Sequence, residues 1–163
     1  MNVSVVIPAH NAAETLGETL TSLRAQTLPD WEAIVVDDGS RDGTATIAAT
    51  FAARDARILR VSQPQMGVSA ARNTGISLAR FDWLLFLDAD DWLSPLHLER
   101  MTCALVSDPD LDGVHCGWAR VTPDGQVIDK ACRKAGDLFA LLARGPAFAI
   151  HACIVRRSLV EVV

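Results

Sequence analysis

The 163 residues, half of them apolar, suffice for one domain around one core. With 15 basic against 20 acidic residues the formal net charge is −5, which argues against a general nucleic-acid binder, whose phosphate contacts need a basic field. A small anionic ligand stays admissible, because a divalent metal can invert the local charge.

The first element predicted is a β-branched strand over residues 3–7, stopping at Pro8. Leu16, Leu20 and Leu23 then fall on one helical face, with Asn11 as its cap and Glu14 three residues later in a capping-box-like pair. A second strand over 31–36 stops at Asp37-Asp38-Gly39-Ser40, and Ile47 and Phe51 mark a helix after Gly43. A short third strand, 58–61, leads to a helix carrying Val68, Ala71, Gly75, Leu78 and Ala79. A fourth strand, 83–87, stops at Asp88, and a helix opens at Ser94-Pro95 and continues through Leu98, Met101 and Leu105. Strands alternating with helices predict βαβ units and a parallel sheet, and continuous apolar runs suit strands buried on both faces.

After residue 110 the pattern changes. Residues 114–121 and 126–128 flank a hairpin turn at Pro123-Asp124-Gly125; residues 138–142 read as a short helix and 152–155 as a strand. The apolar Ile154, Val155, Leu159, Val160, Val162 and Val163 have no stop signal after them, so the chain is expected to end in mid-element, leaving apolar surface that favours self-association. Cys103, Cys116, Cys132 and Cys153 form no C-x-x-C pair and no zinc-like spacing, and are expected to be reduced and mostly buried. No signal peptide precedes the first strand and no apolar run spans a bilayer, so a cytoplasmic chain is expected, peripheral to the inner face of a membrane if a further segment docks it there.

In doubly wound sheets ligands bind at the carboxyl ends of the strands. Three predicted strands end in polar groups that parallel pairing would bring to one rim: Pro8-Ala9-His10-Asn11, Asp37-Asp38, and Asp88-Ala89-Asp90-Asp91. Carboxylates about 4 Å apart repel by on the order of 4 kcal/mol at an effective dielectric of about 20. A hard cation, Mg²⁺ or Mn²⁺, would relieve that repulsion, using one or two carboxylates together with substrate phosphates. The alternative is a solvated acidic turn in which Asp91 or Ser94 caps the next helix. Asp38 could accept a bond from a nucleobase N–H or cap the helix near Gly43. Gly67 opens a helix whose N-terminus favours anions, and Arg72 could contact phosphate or pair with one of the aspartates. Of the four histidines, His10 is the best placed for substrate, with His151 second.

Taken together, residues 3–11, 36–44, 67–73 with Gly75, and 86–91 resemble, in order and spacing, the family 2 glycosyltransferases; residues 154–158 are similar to a later segment of the same family. The resemblance implies an α/β fold of the GT-A type: a Rossmann-like three-layer domain with a mostly parallel central sheet, C-terminally truncated. Residues 1–163 would form a single domain, 1–110 its nucleotide-sugar-binding half and 111–163 the start of its acceptor half. It further implies inverting transfer of a sugar from a nucleoside diphosphate donor, commonly UDP-linked, to a glycan, lipid-linked or other hydroxyl acceptor. Pro8, Ala9, His10 and Asn11 would border the donor's base and Asp38 would bind the uracil N–H. Gly67, Arg72, Asp88 and Ala89 would lie along the donor, and Asp90, with Asp91 assisting, would hold Mn²⁺ or Mg²⁺. His10 departs from the pattern, standing where the family often has Tyr. The family's general base lies beyond the Arg-Arg-Ser segment, so it is expected after Val163, and this chain is expected to bind donor but transfer poorly. The rival expectation is a donor-binding or interaction module without catalysis. The first turn lacks the glycines of a dinucleotide-binding Rossmann domain or a nucleotidyltransferase, and the paired aspartates follow the fourth strand rather than the first, unlike a haloacid-dehalogenase-like phosphatase.

Overall fold

The computed structural model describes residues 1–122, 124–131 and 149–160. Strand β1 (Val3–Ala9) is central, paired in parallel with β2 (Trp31–Asp38) on one side and β4 (Trp83–Phe86) on the other; β3 (Ile58–Gln63) lies parallel outside β2. Strand β5 (Gly113–His115) and strand β8 (Cys153–Arg156) complete a six-stranded sheet of order β3-β2-β1-β4-β8-β5, in which β8 runs antiparallel to both neighbours. Strands β6 (Trp118–Val121) and β7 (Val127–Ala131) form a separate antiparallel pair.

Both faces of the sheet are covered, which accounts for the unbroken apolar runs. Val3, Val5 and Ile7 of β1, with Val35 and Leu85, face a cluster containing Leu16, Leu20 and Leu23 of α1 (Leu16–Arg24), Ala48 of α2 (Thr44–Arg54), and Leu98 and Leu105 of α4 (His97–Ser107). Val6, Ile34, Val36 and Leu84 point the other way, onto Ala71 of α3 (Val68–Leu78). That helix comes close because of Gly75: a Cβ there would stand 2.3 Å from a Val6 methyl. At the opposite end of the sheet from the polar strand tips, Glu32 is buried and takes bonds from Ser4 Oγ (2.6 Å), Arg80 N–H (2.7 Å) and Arg80 Nε (2.6 Å).

Several expectations shift on inspection of the backbone. Strand β1 does not stop at Pro8 but runs to Ala9. The Val6 carbonyl accepts from Leu87 N–H, so the peptide groups of even-numbered residues of β1 point toward β4; Pro8 is next in that series, beyond the last β1–β4 pair, where its missing N–H is not needed. Asn11 does not cap α1, which starts at Leu16 with Thr15 at its cap. Asn11 instead takes a left-handed conformation (φ 50°), which asparagine tolerates, and its side chain accepts from Arg41 N–H. Pro95 is not the first residue of α4, which begins at His97 after a turn from the Ser94 carbonyl. Residues 114–121 are two strands, β5 in the main sheet and β6 in the hairpin. Gly125 occupies the hairpin turn with φ 82°, while Pro123 and the helix expected at 138–142 lie outside the described residues.

The cysteines are less buried than expected: Cys103 is exposed, because it lies off the Leu98, Met101, Thr102, Leu105 stripe of α4, and Cys116 and Cys153 are half-buried thiols. Cys132 lies outside the described residues. The end of the chain is also better covered than its composition suggests. Ile154 is fully buried, Val155 and Val160 pack against the second cluster, and Leu159 is exposed; Val162 and Val163 lie outside the described residues. No described helix is long and apolar enough to cross a membrane.

Candidate functional site

Because β1, β2 and β4 are parallel and adjacent, His10, Asp38 and Asp88 come to one rim of the sheet, as strand tips of a doubly wound fold must. The loops leaving these strands are tied together by short polar side chains. Asn11 N–H donates to Ser40 Oγ (3.0 Å), Ala12 N–H to Thr44 Oγ1 (2.8 Å) and Ala13 N–H to Asp42 Oδ2 (3.0 Å). Asp42 Oδ1 takes the N–H and hydroxyl of Thr44 at the start of α2, the capping role that the sequence left open for Asp38.

Asp38 does different work. Its carboxylate, at the end of β2, is covered by the end of β3 and the loop that follows, and accepts three hydrogen bonds: from Gln63 Nε2 at 2.7 Å, Met66 N–H at 2.8 Å and Gly67 N–H at 2.8 Å. Burial pushes its pKa upward, but the bonds from Met66, Gln63 and Gly67, with His10 nearby, outweigh that and hold it below the usual carboxylate range. Gly67 adopts φ 92°, which suits glycine, and its N–H is committed to Asp38. The Asp38 carbonyl accepts from His10 Nδ1 (2.7 Å), and His10 Nε2 lies within reach of the Asn11 (3.1 Å) and Gln65 (3.2 Å) side-chain amides.

A cavity of about 660 Å³ opens at this rim, lined by Pro8, His10, Asn11, Arg72, Asp88, Ala89 and Asp90 among the expected donor-site residues. It also takes in Glu14, Thr15, Asp42 and Val68, which sequence reasoning did not assign to it. Ala9, Asp38 and Gly67 do not line it; Ala9 is buried, and the other two form the clasp behind its wall. Arg72, on the first turns of α3, reaches Asp88 Oδ1 at 2.7 Å, and its buried Nε–H has no acceptor among the described residues.

The three carboxylates after β4 are not equivalent. Asp88 is neutralised by Arg72, and Asp91 Oδ2 accepts from His151 Nδ1 at 2.8 Å. Asp90 is exposed and makes no side-chain hydrogen bond or ion pair with a described residue. It borders both the donor-side cavity and a second cavity of about 1030 Å³ that includes Asp91, Trp92, Trp118 and His151. His97 lines that second cavity too, and burial, with His151 beside it, lowers its pKa to about 4, so its ring is neutral. Among the described residues no group of three or more His, Cys, Asp or Glu side chains is arranged to hold a metal alone. A cation of the Mg²⁺ or Mn²⁺ kind does not require such a group, since substrate phosphates and water supply most of its oxygens, and the unneutralised Asp90 fits that donor set.

The comparisons with known proteins agree with this architecture. The family model described as glycosyl transferase family 2 matches residues 4–162. The chain is 40% identical over 122 residues to the uncharacterized glycosyltransferase EpsJ of Bacillus subtilis (strain 168), covering 75% of this chain and 35% of EpsJ. It is 32% identical over 126 residues to the chondroitin synthase of Pasteurella multocida (strain Pm70), covering 77% of this chain and 13% of that protein. The chain thus spans about a third or less of these relatives' lengths. Among solved structures, S. aureus TarS 1-349 in complex with UDP-GlcNAc superposes with a TM-score of 0.75 at 22% identity, over 99% of this chain and 47% of that one. The mannosyltransferase PcManGT from Pyrobaculum calidifontis, in complex with GDP-Man and Mn2+, gives a TM-score of 0.71 at 24% identity, over 98% of this chain and 46% of that one. At these identities the structural likeness establishes the fold.

Proposed function

We propose, from the premise that this chain belongs to glycosyl transferase family 2, that it forms the donor-binding part of an enzyme transferring a sugar from a UDP-linked donor to an acceptor hydroxyl with inversion. The observation that carries the reading is the partition of the carboxylates after β4: Asp88 pairs with Arg72, Asp91 is hydrogen-bonded by His151, and Asp90, which lines the rim cavity, has no side-chain partner among the described residues. An anionic diphosphate beside a bare carboxylate is repelled unless a cation joins them. Support for the donor class comes from the structural relatives, one solved with UDP-GlcNAc and one with GDP-Man and Mn2+.

In this reading the base lies against Pro8 and the His10 ring. Asp38 acts from behind, fixing the backbone of residues 66 and 67 and the orientation of His10. The unused Arg72 Nε–H donates to a phosphate or sugar oxygen, with Asp88 holding the guanidinium in place. Asp90 would hold the divalent cation, which when bound neutralises charge developing on the departing diphosphate. The acceptor oxygen forms its bond to the anomeric carbon from the face opposite the breaking bond to the diphosphate, and its proton passes to a base.

Calorimetry with UDP tests this. Affinity should rise on adding Mn²⁺ to the native chain, and Asp90→Asn should abolish that rise while leaving the unfolding temperature unchanged. Equal UDP affinity with Mn²⁺ and with chelator would overturn the reading. A donor-binding module without catalysis of its own shares these binding properties and differs in showing no turnover.

A further inference from the structure

We propose that the cavity bordered by Trp92 and Trp118 is a saccharide-binding acceptor subsite, so that the hydroxyl receiving the transferred sugar belongs to a sugar ring. This rests on the donor reading above, which leaves the acceptor open. The cavity adjoins the donor cavity, Thr15 and Asp90 lining both, so a ligand in it meets the donor at the carboxylate assigned to the diphosphate end.

The lining chemistry selects the ligand. Trp92 follows Asp90-Asp91 directly and is 51% exposed, whereas Trp31 and Trp83 are 2% and 8% exposed in the core. Trp118, half-buried at the start of β6, reaches the same cavity from the hairpin. The negatively polarised face of an indole suits the C–H face of a pyranose ring, which is apolar and carries partial positive charge. Around the two indoles stand groups of every hydrogen-bonding kind: the Glu18 carboxylate, the Ser94 and Thr122 hydroxyls, and the Arg120 and Lys130 cations. A neutral polyhydroxyl ligand can serve as partner to donors and acceptors at once. A lipid chain would desolvate these charges without replacing their bonds. A phosphate-bearing acceptor would meet Glu18, Asp90 and Asp91 as well as Arg120 and Lys130, so the lining does not select for an anion.

Tryptophan fluorescence of the 163-residue chain tests the assignment, because the exposed indoles are the ones a ligand in this cavity can shift. Cellobiose, lactose and N,N′-diacetylchitobiose are titrated separately, beside decyl phosphate and a Ser/Thr-rich peptide, each with and without UDP and Mn²⁺. The expected result is a saturable blue shift with at least one disaccharide. Trp92→Ala and Trp118→Ala should each weaken its binding about tenfold, and Trp92→Phe, which keeps an aromatic face, should retain most of it. Thermal unfolding of each variant checks that it is folded. If none of the disaccharides shifts the spectrum, or if decyl phosphate or the peptide does so saturably in their place, the assignment is overturned. UDP affinity, measured separately by calorimetry, distinguishes the two readings: saccharide binding without UDP binding sinks the donor site alone, and UDP binding without saccharide binding sinks this one.

Discussion

Replacing Asp38 separates the base-binding role expected from the sequence from the loop-stapling role seen in the structure. In the structure its carboxylate staples the loop between β3 and α3 through Gln63 Nε2, Met66 N–H and Gly67 N–H. Hydrogen bonds to a charged group contribute about 1.5–3 kcal/mol each, but these lie near the surface, where water can replace the lost acceptor; about 1 kcal/mol per bond is a fairer figure. Asp38→Ala should therefore destabilise the fold by about 3 kcal/mol. Asp38→Asn keeps acceptor Oδ1 for Gln63 and Met66 but turns an NH₂ toward the Gly67 N–H, so it should cost part of that, roughly 1–2 kcal/mol. The carboxyl pKa is lowered on folding, so this stabilisation is present above the unfolded-state pKa and is lost as pH falls through the lower folded value. Urea unfolding between pH 3 and pH 7 measures both the size and the pH window, and calorimetry with UDP and with pyrophosphate reads the site. A staple predicts lowered stability with comparable losses for the two ligands, because the whole loop is released. Native stability in Asp38→Ala, with affinity lost for UDP and kept for pyrophosphate, would refute it and assign the carboxylate to the base.

Gly75→Ala should destabilise the fold by about 1–3 kcal/mol, since its new Cβ would overlap Val6, whose β-branched side chain has little freedom to move; equilibrium unfolding shows this, and a neutral effect would mean that α3 shifts freely on the sheet. Glu32→Gln should cost about 1–3 kcal/mol, because its amide nitrogen would face the Arg80 donors or Ser4, yet should leave UDP affinity unchanged, the residue being at the far end of the sheet. His97 is held neutral with a pKa of about 4, below that of the unfolded chain, so its contribution is full above pH 6.5 and declines as pH falls from there toward 4, by up to about 3 kcal/mol. His97→Gln should flatten that part of the stability–pH curve, and an unaltered curve would place the pH sensitivity elsewhere.

The parallel core was legible because each of its strands is apolar on both faces and each ends in a polar turn. Val3, Val5 and Ile7 serve one helical layer while Val6 serves the other, and the sequence signature of that arrangement is the unbroken run itself. The boundaries were harder to read where pairing, not propensity, decides them. Pro8 remains in a strand because its nitrogen points past the end of β4, a fact of register that the residue type cannot reveal. Asn11 and Glu14 have the spacing of a capping box, but Asn11 is drawn into the loop after β2 and bonds across a gap of thirty residues to Arg41. The break between β5 and β6 was invisible for the same reason: residues 113–115 are claimed by β8, a partner distant in sequence.

The site shows a related asymmetry. Strand tips predict which residues reach the rim, and Pro8, His10, Arg72, Asp88 and Asp90 do line one cavity. What the tips do not predict is how charges divide once they arrive. Three aspartates in four residues look interchangeable, but Arg72 comes from α3 to engage Asp88 and His151 comes from beside β8 to engage Asp91, leaving Asp90 between them. Had Asp90 been paired and Asp91 bare, the same motif would have left its bare carboxylate in the cavity of Trp92 and Trp118 alone. The partition is therefore informative in its own right. It places the middle carboxylate at the boundary of the two cavities, where in the proposed reading the diphosphate and the acceptor would meet. It also makes the contact of His151 with Asp91 a further link, beside the β4–β8 pairing, between the donor-side sheet and the second half of the chain.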